Sequence, residues 1–195
     1  VLDMYPPEKR YFGSKGSAIG GMNIEHSVAK SWWGGAKNNA YCDIHHLNPS
    51  DQNANSRKSN YPLGELTSVS WDNGVTFVGK ANIDGSSQNA YEPCDEYKGD
   101  FARVFMYMFT CYQDLTWEYT WMNYEKSTYP TLKPWAVKLL LKWHIRLNQE
   151  NLFNLHQRSI LLDWRLCIYK KIKIKKIFIT WKYSSQTTTE SMLRE

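Results

Sequence analysis

The chain has 195 residues, a formal net charge of +5, nine Trp, 13 Tyr, seven Phe and four Cys. That length suits one core-bearing domain with room for an appendage, and no apolar run reaches the roughly 20 residues of a membrane-spanning helix. The charge does not mark the whole chain as a polyanion binder: residues 1–144 carry 14 Lys and Arg against 15 Asp and Glu, and residues 145–195 carry 10 against four. The cysteines, Cys42, Cys94, Cys111 and Cys167, form no CxxC pair, which excludes a zinc ribbon or a thioredoxin motif; they leave disulfides and buried thiols both open.

Residues 1–24 are rich in Gly, Ser and Pro and read as a loop-rich lead-in. An apolar, aromatic stretch follows from Asn23 to Trp33 and breaks at Gly34-Gly35. Residues 40–48 read as a short strand, and Ser50 as the N-cap of a helix from Asp51 to about Lys58, ended by Pro62-Leu63-Gly64. Turn signals at Asn73-Gly74, Val78-Gly79 and Asp84-Gly85 punctuate short apolar runs, with a hairpin centred on Asn73-Gly74. Phe101, Val104, Phe105, Met108 and Tyr112 fall at helical spacing and predict a buried helix over 100–112. A second helix follows Pro134, with Trp135, Leu139 and Trp143 on one stripe. After His144 there is no Gly or Pro, and residues 168–181 are dominated by Lys and Ile.

Three clusters carry chemistry. They are Glu25-His26, the run Cys42-Asp43-Ile44-His45-His46, and the Asn- and Arg-rich helix with Asn53, Asn55, Arg57, Lys58 and Asn60. Phosphodiester hydrolysis needs a base for water, a hard cation held by oxygen ligands, and side-chain cations for the phosphates. Glu25, His26, Asn55, Arg57 and Lys58 supply one of each kind. Each cluster also has a plainer reading: a surface Glu-His pair, a solvated polar helix, or Cys42 with a neighbouring His on Zn²⁺. Adjacent histidines on a strand point to opposite faces, which disfavours both ligating one metal.

The strings NIEHSVAKSWWGG (23–35), DIHHLNPSD (43–51), NSRKSNYPLGE (55–65), EPCDEYKGDFAR (92–103) and LKPWAVKLLLKWH (132–144), with VLDMY at the start, resemble the bacterial endonuclease I family. The resemblance covers most of residues 1–144. It implies an α+β fold built on a ββα-metal, or His-Me finger, core surrounded by helices. It also implies His26 as the general base, and Glu25 and Asn55 as ligands of Mg²⁺ or another divalent cation such as Mn²⁺ or Ca²⁺. Arg57, Lys58, Lys37 and Arg103 become candidates for phosphate contact; the first two and Arg103 are equally candidates for structural ion pairs, and Arg103 on its core helix leans that way. Asp43 and His45 are candidates for orienting the finger by hydrogen bonds. Asp95, Glu96 and Asp100 are better explained as charges at a helix start.

The implied activity is sequence-non-specific, metal-dependent cleavage of DNA, with RNA as a second substrate, to 5′-phosphate products. The implied setting is secreted or periplasmic, as a monomer with no stable protein partner. Two departures stand out: Ala29 occupies a position where the family usually has Pro, and nothing after His144 matches. The expectation is an incomplete nuclease domain over 1–144, truncated at its N-terminus, and a non-family basic tail over 145–195, read out of frame or replacing the native end. The rival readings are a nucleic-acid-binding pseudo-nuclease and a Zn-stabilised interaction domain.

Overall fold

A computed structural model describes residues 4, 5, 20–125 and 130–150, the side chains of 146–150 excepted. By its internal contacts the chain divides into units 1–153 and 154–195, and every described residue lies in the first. Most of the lead-in over 1–24 and the basic tail from 151 onward lie outside the described residues.

The first layer is a two-stranded antiparallel ribbon, β1 (Met22–His26) paired with β2 (Leu47–Asp51), His26 lying opposite Leu47 and Glu25 opposite Asn48. Between the strands sits one 3-10 turn, Lys30–Trp33, closed by Gly34 in the left-handed region at φ 75°. The segment expected as a strand over 40–48 is strand only from Leu47. Residues 40–46 coil into successive turns, with Tyr41 N donating to Asn38 O, Asp43 N to Ala40 O and His46 N to Asp43 O. Asn38 and Asp43 supply the reason: their side chains accept backbone N–H groups of Tyr41 and His45, and such local partners outcompete a ladder.

β2 runs directly into α1 (Gln52–Lys58). The helix ends where the sequence predicts, but the cap is Asp51, whose carboxylate accepts from Asn53 N and Ala54 N at 2.9 Å each. Ser50 is buried one step earlier in β2, its hydroxyl donating to the Asp51 carbonyl. A carboxylate at the cap also suits the helix's positive end.

The second sheet is a meander, β3 (Leu66–Asp72), β4 (Thr76–Ile83) and β5 (Ser86–Pro93), in that order. The hairpin at Asn73-Gly74 forms as expected, pinned by Asn73 Oδ1 accepting from Val75 N and Thr76 N. Val78-Gly79, expected as a turn, lies inside β4. β3 is bulged there and brings the Ser68 carbonyl to 1.9 Å from where a Cβ on residue 79 would sit, so only Gly fits.

Helix α2 (Asp95–Cys111) starts five residues before the expected 100, with Asp95 and Glu96 in its first turn against the helix dipole. Its buried face carries Phe101, Val104, Phe105 and Met108 and packs on β5 and on α3 (Pro134–Glu150). Along α3 the fully buried line is Ala136, Leu140 and Trp143, with Trp135 and Leu139 half-buried beside it. Trp32 of the 3-10 turn sits against Phe105, Phe109 and Trp121, which joins the ribbon to α2. Tyr5 closes the core from the other side, its ring edge-on to Phe101 and stacked near Tyr91. No described helix is long and apolar enough to cross a membrane.

Candidate active site

β1 delivers Glu25 and His26 to one end of the ribbon, and α1 brings Asn55 back over it. All three line a cleft of about 940 Å³. The His26 ring nitrogen Nε2 lies 3.0 Å from the Tyr41 carbonyl. A carbonyl only accepts, so Nε2 bears the proton and Nδ1 keeps its lone pair. The ring is wedged among Trp33, Tyr41 and His46, with centroids at 6.4, 4.8 and 5.2 Å. Burial is the main reason its pKa falls below the usual 6.5; the Tyr41 carbonyl and Glu25 oppose that shift, and Lys30 and Lys58 add to it. His26 is therefore a neutral imidazole at neutral pH, with a fixed tautomer and a free basic nitrogen.

Glu25 is 7% exposed, and its Oε1 receives the Lys58 ammonium at 2.6 Å. Lys58, itself 1% exposed, also lies 5.8 Å from the Tyr91 ring centre. Of the two roles open to Lys58, the structure gives it the ion pair: its charge is buried on Glu25, out of reach of a phosphate in solvent. Asn55 donates its amide N–H to Asn23 Oδ1 at 2.8 Å, and its own Oδ1 has no hydrogen-bond partner among the described residues.

Asp43 and His45 form a brace beneath the turns that carry Tyr41. His45 Nδ1 lies 2.8 Å from Asp43 Oδ1, while Tyr107 of α2 and Tyr112 at its C-cap donate to Asp43 Oδ2 at 2.8 and 2.5 Å. Burial alone would raise the Asp43 carboxyl, but the hydrogen bonds from Tyr112, His45 and Tyr107 outweigh it and hold the pKa below its usual value. The remaining candidates are dispersed. Arg103 is 6% exposed and bound to Asp100 on its own helix, with His144 at 3.5 Å, so it is structural. Arg57 is exposed over the Trp71 ring, and Lys37 is exposed in the loop after Trp33; neither lines the cleft.

The order strand, turns, strand, helix, with a tautomer-fixed His closing the first strand and a helix-borne amide lining the same cleft, is the ββα arrangement that the sequence resemblance implies. The sequence profile of the family described as endonuclease I matches residues 4–151. The chain belongs to the endonuclease I family. Among its relatives is an extracellular ribonuclease of Bacillus amyloliquefaciens, 33% identical over 147 residues, which are 74% of this chain and 48% of the relative. Another is an extracellular ribonuclease of Bacillus subtilis (strain 168), 35% identical over 114 residues, which are 58% of this chain and 37% of the relative. The chain thus spans about half the length, or less, of these curated relatives.

The α+β fold is the endonuclease I fold, and its donor set can be tested against a divalent cation. Glu25 and Asn55 offer one carboxylate and one amide oxygen, both hard. Mg²⁺ suits such a set because it keeps several waters and takes few protein ligands. Lys58 fixes one Glu25 oxygen and thereby orients the other. Zn²⁺ fits poorly: among the described residues no three His, Cys, Asp or Glu converge. Beside the exposed Cys42, His45 faces Asp43, and His46 Nε2 donates to Ala40 O at 2.6 Å.

Three residues of the endonuclease I cleft, and the buried His46 beside the His26 ring, have no distinct sequence signal. The Tyr41 carbonyl is a backbone group that any residue carries. His46, in the cluster DIHH, is legible in the sequence only as a possible ligand. Asn23 lies two residues before Glu25 on β1, hence on the same strand face, which is a usable but weak cue. Lys30 sits in the 3-10 turn as an ordinary exposed lysine.

Proposed function

We propose that this chain hydrolyses internal phosphodiester bonds of DNA and RNA without sequence preference, that it requires a divalent cation of the Mg²⁺ kind, and that it acts outside the cell. The observation that carries the reading is the His26 tautomer: Nε2 is tied to a carbonyl and Nδ1 is basic, in a cleft shared with Glu25 and Asn55. Nδ1 removes a proton from water as that water attacks phosphorus, and the lowered pKa keeps the nitrogen unprotonated at neutral pH. Tyr41 holds the ring against rotation while the proton arrives. Glu25 and Asn55 would hold the cation, which supplies positive charge against the phosphate and the leaving oxygen when bound. The family resemblance implies that the bond broken is to the 3′ oxygen, leaving a 5′-phosphate.

Substrate breadth follows from the contacts. Backbone phosphates carry no base identity, so a cleft that grips phosphate cuts many sequences. The Bacillus relatives are named extracellular ribonucleases, which supports RNA as a second substrate and an extracellular setting.

The test is cleavage of supercoiled plasmid and of a structured RNA by the full chain, with Mg²⁺, with chelator, and with His26→Ala. General-base removal should lower the rate by about 10²–10⁴-fold, and chelation should abolish cutting of both polymers. Cutting that survives in the folded His26→Ala protein would defeat the assignment. Binding without cutting by the folded wild type would leave a nucleic-acid-binding protein instead.

A further inference from the structure

A polyanion entering this cleft needs positive charge, and the cationic candidates of the sequence do not supply it there. Lys58 is buried on Glu25, Arg103 is held by Asp100, and Arg57 and Lys37 do not line the cleft. Among the described residues that line the cleft, Lys30 alone carries a permanent positive charge. It is exposed, and it makes no ion pair among the described residues. Its Nζ instead rests 5.7 Å from the centre of the Tyr41 ring. An aromatic face attracts the ammonium without neutralising it, so the three N–H donors stay available for oxygen acceptors. The same Tyr41 ring lies 4.8 Å from the His26 ring, and the Tyr41 carbonyl holds His26 Nε2. One residue therefore seats both the base and the cation, and fixes how far apart they stand.

We propose that Lys30 is a substrate-binding residue that holds a backbone phosphate beside His26, a role that rests on the nuclease reading above. A compact ammonium seated on a ring grips any phosphate alike, which matches a sequence-indifferent cleft.

The experiment uses the full chain with Lys30→Ala, Lys30→Arg and, as a control, Lys138→Ala, an exposed cation on α3. Cleavage kinetics on a fluorescent DNA duplex and on an RNA hairpin would be paired with binding anisotropy in the His26→Ala background, from about 50 to about 200 mM salt. Lys30→Ala should lower kcat/KM about ten-fold, mainly through KM, and reduce the slope of log affinity against log salt by about one. Lys30→Arg should restore most of both, and Lys138→Ala should change neither. A folded Lys30→Ala protein with an unchanged salt slope overturns the proposal, whether or not its rate falls. The two readings separate cleanly. Loss of slope in a chain whose wild type does not cut sinks the nuclease reading and keeps Lys30. Cutting with an unchanged slope does the reverse.

Discussion

The His46 imidazole is fully buried, donates from Nε2 to the Ala40 carbonyl, and leaves Nδ1 with no partner among the described residues. Burial drives its pKa from 6.5 down to about 4; the Ala40 carbonyl resists, and the neighbouring His26 adds to the fall. Because the folded value lies below the unfolded one, the neutral ring contributes stability that is complete above about pH 6.5 and is lost as pH falls toward 4. At about 1.4 kcal/mol per unit, the full loss is on the order of 3 kcal/mol. Urea midpoints should fall steadily between pH 7 and pH 4.5, and a flat profile there would remove His46 as the cause. Cleavage should show a different acid limb: activity stays full at neutral pH and declines below 6.5, where His26 takes up its proton. The roles proposed for Glu25, His26 and Asn55 rest on the family resemblance. The tautomer, the Lys58 pair and the Asn23 anchor came only from three-dimensional neighbours separated by 15, 33 and 32 positions.

At the scale of the element, α1 and the 3-10 turn offer two opposite tests. Asp51→Ala removes the cap of the helix that carries Asn55 and should cost about 1 kcal/mol in thermal or urea unfolding. Ala29, where the family usually has Pro, already has φ −59° and ψ 131°, and its N–H serves no hydrogen bond among the described residues. Those angles are proline's own. Ala29→Pro should therefore stabilise the fold by roughly 0.5 kcal/mol through the unfolded chain, and a fall in melting temperature would show that Val28 cannot precede a proline here. Periodicity and turn chemistry made α2, α3 and the Asn73-Gly74 hairpin legible. They failed at residues 40–46, where Asp43 and Asn38 offered the backbone local partners, and at Gly79, where the glycine serves a close approach by Ser68 and not a bend.

Across the whole molecule, Tyr5 ties the separate pieces together. Its carbonyl accepts from Asn73 Nδ2 at 3.0 Å and Thr76 Oγ1 at 2.8 Å, and its hydroxyl lies 3.3 Å from Ser27 Oγ, immediately after His26. Asn48 of β2 donates to that same Ser27 oxygen at 2.7 Å. Tyr5→Ala should cost about 3–5 kcal/mol, as large aromatic truncations in cores do. A chain that stays as stable as wild type by denaturant titration would show the socket to be dispensable. The sequence marks VLDMY as family-like but gives it no role, because contacts spanning about seventy positions leave no local periodicity to read.

That long reach has a consequence for timing. Tyr5 needs the Asn73–Thr76 turn, Tyr91 and Phe101 before its socket exists. A nascent chain emerges from its N-terminus, and non-local contacts wait for their later partner. A chain stalled before Phe101 would already contain His26, Glu25 and Asn55, yet the strand bearing the base would lack the anchor that Tyr5 gives Ser27. On the proposed reading, activity would then switch on with the folding of α2 and not with the synthesis of Glu25, His26 and Asn55.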